Sequence, residues 1–480
     1  MRKLALILGS ALALQTGMQA EAQVLSPRLG LEATRKGIGA VPVEIWLKPG
    51  ATPPPGAVEV APDRVLAEAT PGALEALAQS GTADYIAPAD TFSAPQPEAG
   101  EDPDDTAAKA VSLWPSGTGR GVTIGILDFG PVPDLPAITA RRSFGAPGHG
   151  DHFARVAGIV QQLAPGARLL AASLPTSNAS ATDVAHAAQW LADQGARIIT
   201  FSGATYLNRR DGLAPLDRLV DTLSARGILW IAAAGNEAQR SWTGWSDDSN
   251  GDHLTDITPT QSAITLRSRG GAVQIAVTWD DWGGQRAPQG AWDLDIVLRD
   301  AQGREVAAAH TPRGAKGEPV ETLTLRDLPA GTYRVELPLR GRGSAVRVRF
   351  VALGAVDGIS PTVPGESIGS PATARSALAV GAVEQPSFST ARYSGQGPTA
   401  DQRPKPDLAA IGWGGDGQVG TSYAAPRVAA LAACLMELQP ELGPVQIRDR
   451  LAKLARPVSA RRTMLGEPSG WIDSRGHDHL

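Results

Sequence analysis

The chain has 480 residues, 42% apolar and 19% charged, with a formal net charge of −5. Single hydrophobic cores stop growing near about 250–300 residues, so several folding units are expected. The near-neutral charge excludes a basic nucleic-acid footprint or an anionic-membrane surface, and the single cysteine, Cys434, excludes an intrachain disulfide framework or a cysteine-rich zinc site.

Arg2 and Lys3 precede the apolar run from Leu4 to Leu14, and Ala20-Glu21-Ala22 then supplies small residues in cleavage-site spacing. Residues 1–22 read as a signal peptide removed on export. No later run reaches about 18 apolar residues, so no membrane span is expected and the mature chain should be periplasmic or extracellular. Residues 23 to about 92 hold a strand-like VEIWL at 43–47 and a short helix opened by Thr70 and Pro71 and closed by Gly81. A Pro-rich acidic run, Pro95 to Asp105, follows as an exposed linker open to proteolysis.

From 121 the pattern becomes apolar strands, at 121–127, 167–174, 196–202 and 228–234, alternating with helical stretches near 180–194 and 214–226. Wholly apolar strands joined by helices imply a parallel sheet covered on both faces, with sites at the carboxyl ends of its strands. Between 237 and about 360 the period changes to two, with strands at 272–279, 293–300, 322–328, 332–337 and 345–353, which reads as an inserted all-β sandwich. The α/β pattern resumes at 377–383, followed by helices over Thr421–Leu438 and near 445–455.

Four local motifs fall where an apolar strand ends or a helix begins. Asp128 in ILDFG follows an apolar strand directly, at the rim of the sheet, where a turn-forming Asp is the plain alternative. His152 opens a helix whose Val156, Ile159, Val160 and Leu163 form one apolar face; an imidazole there suits general-base work near neutrality. Asn236 in WIAAAGNEA follows a strand that breaks at Gly235, and its amide can donate to a developing oxyanion. Ser422 in GTSYAAPRVAALAACL sits at a helix start, where backbone N–H groups converge on a hydroxyl; a capping serine is the alternative.

Taken in order, ILDFG, His152 with VAGI four residues on, AAGNE and GTSYAAPRVA resemble the motifs of the subtilases, as do GSPATARSALAVGAV at 369–383, YSGQGPT and RPKPDLAA. The resemblance covers roughly 121–236 and 366–473. It implies an α/β fold, a doubly wound, mostly parallel, subtilisin-like sheet with the inserted β-sandwich and a small N-terminal pro-segment. The implied units are a signal peptide (1–22), a propeptide-like segment with its linker (23–105), a first peptidase part (106–236), the insert (237–360) and a second peptidase part (361–480). The implied activity is that of a secreted serine endopeptidase acting on protein or peptide substrates and restrained by its own propeptide. Ser422 would be the nucleophile, His152 the base, Asp128 its partner and Asn236 the oxyanion donor, while Ser202, Gly203 and Ala204 replace the usual substrate-pairing Ser-Leu-Gly. The chain departs from the family after His152, with Phe153-Ala154-Arg155 for Gly-Thr-His, and His149 in HGDH is a rival imidazole. A catalytically silent binding protein of the same fold is the alternative function.

Asp248, Asn250, Asp252 and Asp256 place oxygen side chains at alternate positions around Gly251, an arrangement suited to Ca²⁺ or, without an ion, to a solvated turn. Trp242, Trp245, Trp279, Trp282 and Trp292 lie near the start of the insert, where core packing is favoured over sugar stacking.

Overall fold

The structure is a computed structural model and describes residues 24–29, 39–92, 98–99, 117–146, 148–175, 179–282, 292–312, 317–341, 343–384, 389–455 and 471–472. The expected signal peptide and all of the acidic linker except 98–99 lie outside these residues. Among the described residues no helix is long and apolar enough to cross a membrane.

The N-terminal unit is an antiparallel sheet of β1 (Val41–Leu47), β2 (Val58–Ala61), β3 (Arg64–Ala69) and β4 (Ala83–Pro88), in the order β2-β3-β1-β4, with helix α1 (Pro71–Gln79) between β3 and β4. Thr70 caps α1, its hydroxyl accepting the Ala73 N–H at 3.3 Å, and Pro71 occupies the first helical position, where its missing N–H costs nothing. Val43, Ile45, Val65, Leu74 and Ile86 close the core of this unit. Two short strands follow, β5 (Thr91–Phe92) and β6 (Glu98–Ala99).

The main body contains β7 (Thr123–Phe129), β8 (Ile138–Ser143), α2 (His152–Leu163), β9 (Arg168–Leu174), β10 (Ala179–Ser180), α3 (Ala181–Asp193), β11 (Ile198–Phe201), α4 (Pro215–Ala225) and β12 (Leu229–Ala233). Beyond the insert come β22 (Leu378–Glu384), β23 (Ser389–Thr390), β24 (Leu408–Ile411), β25 (Trp413–Gly415), β26 (Gln418–Val419), α5 (Thr421–Leu438), α6 (Pro444–Leu454) and β27 (Trp471–Ile472). One sheet orders them β27-β24-β22-β12-β11-β7-β9-β8, all parallel, with β23 added antiparallel to β22. Successive residues of β7 face opposite layers: Ile124 and Ile126 join α2 and α5 in one core, while Leu127 and Phe129 join α3 and α4 in the other. That two-sided burial is why these strands read as continuous apolar runs.

The insert occupies the stretch between β12 and β22. It contains β13 (Ser241–Trp245), β14 (Ala263–Trp279), β15 (Trp292–Leu294), β16 (Ile296–Arg299), β17 (Glu305–Ala309), β18 (Val320–Leu328), β19 (Gly331–Glu336), β20 (Leu339–Gly341) and β21 (Arg347–Ser360). All of its pairings are antiparallel. Its larger sheet is continuous and runs through two long bent strands, β14 and β21, so that the first half of β14 pairs with β19 and the second half with β18. The bend falls at Gly270 and Gly271, with φ of 91° and 123°, conformations that favour glycine. Trp242 and Trp279 are buried in this unit's core, as packing predicts, whereas Trp245 is half exposed.

Candidate active site

Each motif residue sits where the fold ends a strand or begins a helix. Asp128 is the sixth residue of β7 and fully buried, and its Oδ1 accepts the Phe129 N–H at 2.7 Å. His152 is the first residue of α2, a helix anchored by Phe153, Val156, Ala157, Ile159, Val160 and Leu163. Burying side chains of this size stabilises by about 1.5–3 kcal/mol each, so the imidazole rides on a firmly seated helix. Its Nδ1 lies 2.8 Å from Asp128 Oδ1. Because a carboxylate oxygen accepts, Nδ1 carries the proton and Nε2 is left with a lone pair in the neutral ring. Burial works to lower the His152 pKa, but the charge and hydrogen bond of Asp128 outweigh it, and the net direction is upward. His149 is exposed in the preceding loop, so the imidazole brought to Asp128 is that of His152.

Ser422 is the second residue of α5 and buried, and the partial positive charge of the helix N-terminus favours negative charge at this point. Pro426 lies four residues further on. Lacking an N–H, it cannot bond the Ser422 carbonyl, which instead accepts the Ser202 hydroxyl at 3.3 Å. The Ser422 hydroxyl leans toward the Ser202 carbonyl at 3.5 Å. Two buried polar atoms of the site have no protein partner, His152 Nε2 and Asp128 Oδ2. Orphaned groups of this kind require a reason, and catalysis is one.

Asn236 lies three residues beyond β12 and is gripped through its side chain. Its Oδ1 accepts both the Thr421 N–H and the Thr421 hydroxyl at 3.0 Å, and that hydroxyl accepts the Gly235 N–H at 3.1 Å. The carbonyl oxygen being so occupied, the amide NH₂ is the end turned toward Gly420, where a built Cβ would stand 3.0 Å from Nδ2. Ser202, Gly203 and Ala204 continue from β11; Gly203 lies flush on aromatic rings, since a Cβ there would come 2.5 Å from Phe201 Cζ.

Residues around these anchors escaped sequence reading. Arg155, marked only as a departure, donates from Nε and Nη2 to Asp151 Oδ2, from Nη1 to the Gly414 carbonyl at 3.1 Å and from Nη2 to Asp416 Oδ2 at 2.9 Å. It thereby ties the His152 helix to the β25–β26 hairpin that leads to Ser422. Glu237 and Tyr206, beneath Asn236, carry no local signal because they are distant in the chain and meet only in the fold.

The acidic loop is folded on itself. Asp248 accepts the N–H groups of Asp252 and His253, and Asp252 accepts the Leu254 N–H and the Ser262 hydroxyl. Asp256 takes the N–H and hydroxyl of Ser249, and Asn250 Oδ1 takes the Asp252 N–H. Ca²⁺ seeks six to eight oxygen ligands at about 2.3–2.6 Å. These oxygens are engaged with donors, and among the described residues no three His, Cys, Asp or Glu side chains converge as a metal site.

The class of the protein, a serine peptidase, follows from its family. The family model described as the subtilase family matches residues 119–268 and 344–471, more than half of the chain, and the chain belongs to that family. Among solved structures the chain is similar to the CspB protease of Clostridium perfringens, with 16% identity, 77% of this chain and 96% of that one covered, and a TM-score of 0.56. It is also similar to the prenylagaramide maturation protease PagA, with 16% identity, 78% and 98% coverage and a TM-score of 0.41. A cold-adapted subtilisin-like serine proteinase gives 16%, 75% and 90%, and 0.40. At these identities the likeness is one of fold. No curated protein matches the chain by sequence.

Proposed function

We propose that the protein is an exported serine endopeptidase that cleaves peptide bonds with Ser422, His152, Asp128 and Asn236, and that it is made with an inhibitory N-terminal propeptide. Ser422 Oγ attacks the scissile carbonyl while His152 Nε2 takes its proton and later returns it to the leaving amine. Asp128 holds the ring in the Nδ1–H tautomer and stabilises the imidazolium. The Asn236 amide and the Ser422 N–H receive the oxyanion. The observation that carries this reading is the 2.8 Å His152–Asp128 contact, with the His152 ring 5.4 Å from that of Tyr423, the residue after Ser422 at the same helix N-terminus. The Ser422–His152 bond is not made in this conformation; such bonds commonly tighten only when substrate is seated.

The propeptide role is supported by two strand pairings. β5 pairs antiparallel with β10, and β6 pairs antiparallel with β26, three residues short of Ser422. Self-cleavage is proposed near the acidic linker, Pro95 to Asp105, which the second of these pairings enters at residues 98–99. Ser202, Gly203 and Ala204 are proposed as the edge to which substrate backbone adds. Calcium at Asp248, Asn250, Asp252 and Asp256 remains a proposal that requires these carboxylates to exchange amide donors for the ion. Fluorophosphonate labelling with mass spectrometric mapping tests the central reading: the label is expected on Ser422, and a chain that takes none is a silent binding protein instead.

A further inference from the structure

The chain that follows Ser202-Gly203-Ala204 turns under Asn236 and fills the space there. Thr205 is locked to Ser370 by backbone bonds in both directions, at 2.9 and 3.0 Å. Tyr206 is 3% exposed, and its hydroxyl donates to Glu237 Oε2, which also accepts the Asn236 N–H at 2.7 Å. Burial, then the Glu237 charge, raise the phenol pKa well above its ordinary value, so the hydroxyl remains a donor. The side chain lies against two glycines. A Cβ on Gly235, where φ is 102°, would stand 2.0 Å from the Tyr206 hydroxyl oxygen, and one on Gly369 would stand 2.9 Å from Tyr206 Cε1. Arg240 closes the far side, 3.7 Å from Glu237 Oε1, and donates to the Asn236 carbonyl at 3.0 Å.

A peptide attacked by Ser422 must lay its carbonyl carbon over Ser422 Oγ and its oxygen on the Asn236 amide. β11 and β12 are neighbouring parallel strands, with Phe201 opposite Ala232, so the loops 202–206 and 234–237 leave the sheet side by side. Gly369 donates its N–H to the Ala234 carbonyl at 3.3 Å and lies against Ala204 and Tyr206, so it floors the crevice between those loops, which is the space beside the Asn236 amide that a side chain on the acyl side of the scissile bond would have to enter. Tyr206 and Glu237 already occupy that crevice. We propose that Tyr206, fixed by Glu237, limits the residue on the acyl side of the scissile bond to glycine, alanine or serine. This rests on the peptidase reading above. Withdrawing the ring would strip Glu237 of a donor in a buried place, an unfavourable exchange.

The test is a peptide series in which only the acyl-side residue varies, Gly, Ala, Ser, Leu, Phe or Lys, read as kcat/KM. The wild type is expected to prefer Ala over Phe by at least about 100-fold, within the range that pocket size alone can impose. Tyr206→Ala should reduce that preference at least about tenfold, whereas Tyr206→Phe, which keeps the ring, should retain it. The wild-type profile decides the matter even if Tyr206→Ala fails to fold. An enzyme that labels at Ser422 yet cleaves after Phe or Leu as well as after Ala overturns the crevice assignment and leaves the peptidase reading standing. A chain that takes no label overturns both.

Discussion

Oδ1 of Asp128 serves two donors at once, the Phe129 N–H at 2.7 Å and His152 Nδ1 at 2.8 Å, so backbone and imidazole fix the carboxylate from different sides. The imidazole is a base only when neutral, and its pKa is raised above the ordinary 6.5. The acid limb of kcat/KM is therefore expected above pH 6.5. Asp128→Asn should move that limb down and lower kcat by about 10⁴-fold, since the amide favours the wrong tautomer. A pH profile of the variant superimposable on wild type would remove Asp128 from the mechanism.

Asn236→Ala should lower kcat by about 10²- to 10³-fold, roughly 2.7–4 kcal/mol, with little change in KM; the range is that of subtilisin losing its own oxyanion amide. Asn236→Asp should not rescue, because a carboxylate repels the developing charge. A rise in KM at constant kcat would make Asn236 a uniform substrate contact instead.

Ser422→Ala is expected to accumulate with its N-terminal unit attached, while the wild type is shortened near the acidic linker, Pro95 to Asp105. Intact-mass measurement of the two proteins gives the answer. Identical N-termini would assign the processing to another protease.

Asp217, in the first turn of α4, is fully buried between the hydroxyls of Ser370 and Thr373, at 2.7 and 2.9 Å. Burial pushes its pKa up to about 7 against the pull of those hydroxyls. A carboxyl raised on folding stabilises below its unfolded pKa, and that contribution is lost as pH rises through about 7. Between pH 4 and 8 the wild type should lose a few kcal/mol that Asp217→Asn does not, visible as diverging Tm curves. Parallel curves would mean that Asp217 ionises in the native state without penalty.

Were the loop at 248–256 to take calcium, millimolar Ca²⁺ would raise Tm by binding only the folded state, and Asp252→Ala would abolish the rise. A wild-type Tm indifferent to Ca²⁺ would leave these residues as a turn.

The elements legible in the sequence were those whose burial is uniform. β7, β9, β11 and β12 are covered on both faces and read as apolar runs, and α5 was bounded at Thr421 and Leu438 because small residues fill it from end to end. The bend of β14 is not legible: Gly270-Gly271 reads as a turn, so the pattern predicts a strand over 272–279 and not the half from Ala263 to Ser268. In the N-terminal unit β2 has only four residues, and β3 buries Arg64 to Ala67 in succession, so neither shows an extended alternation. The four motif residues were legible because each sits at an element end. The Tyr206–Glu237 bond and the reach of Arg155 to Gly414 and Asp416 are not, since those partners meet only through the tertiary fold.

The buried middle of α5 has a consequence for biosynthesis. Val428, Leu431, Ala432 and Cys434 belong to the same core as Ile124 and Ile126 of β7, so that core cannot close before the chain has been made to about residue 438. Ser422 follows Asp128 by roughly 300 residues, which at ~5–20 residues per second is on the order of 15–60 s of synthesis. If the proposed roles hold, the nucleophile is the last of these residues to be made, and their order along the chain itself keeps the peptidase inert while it is being built.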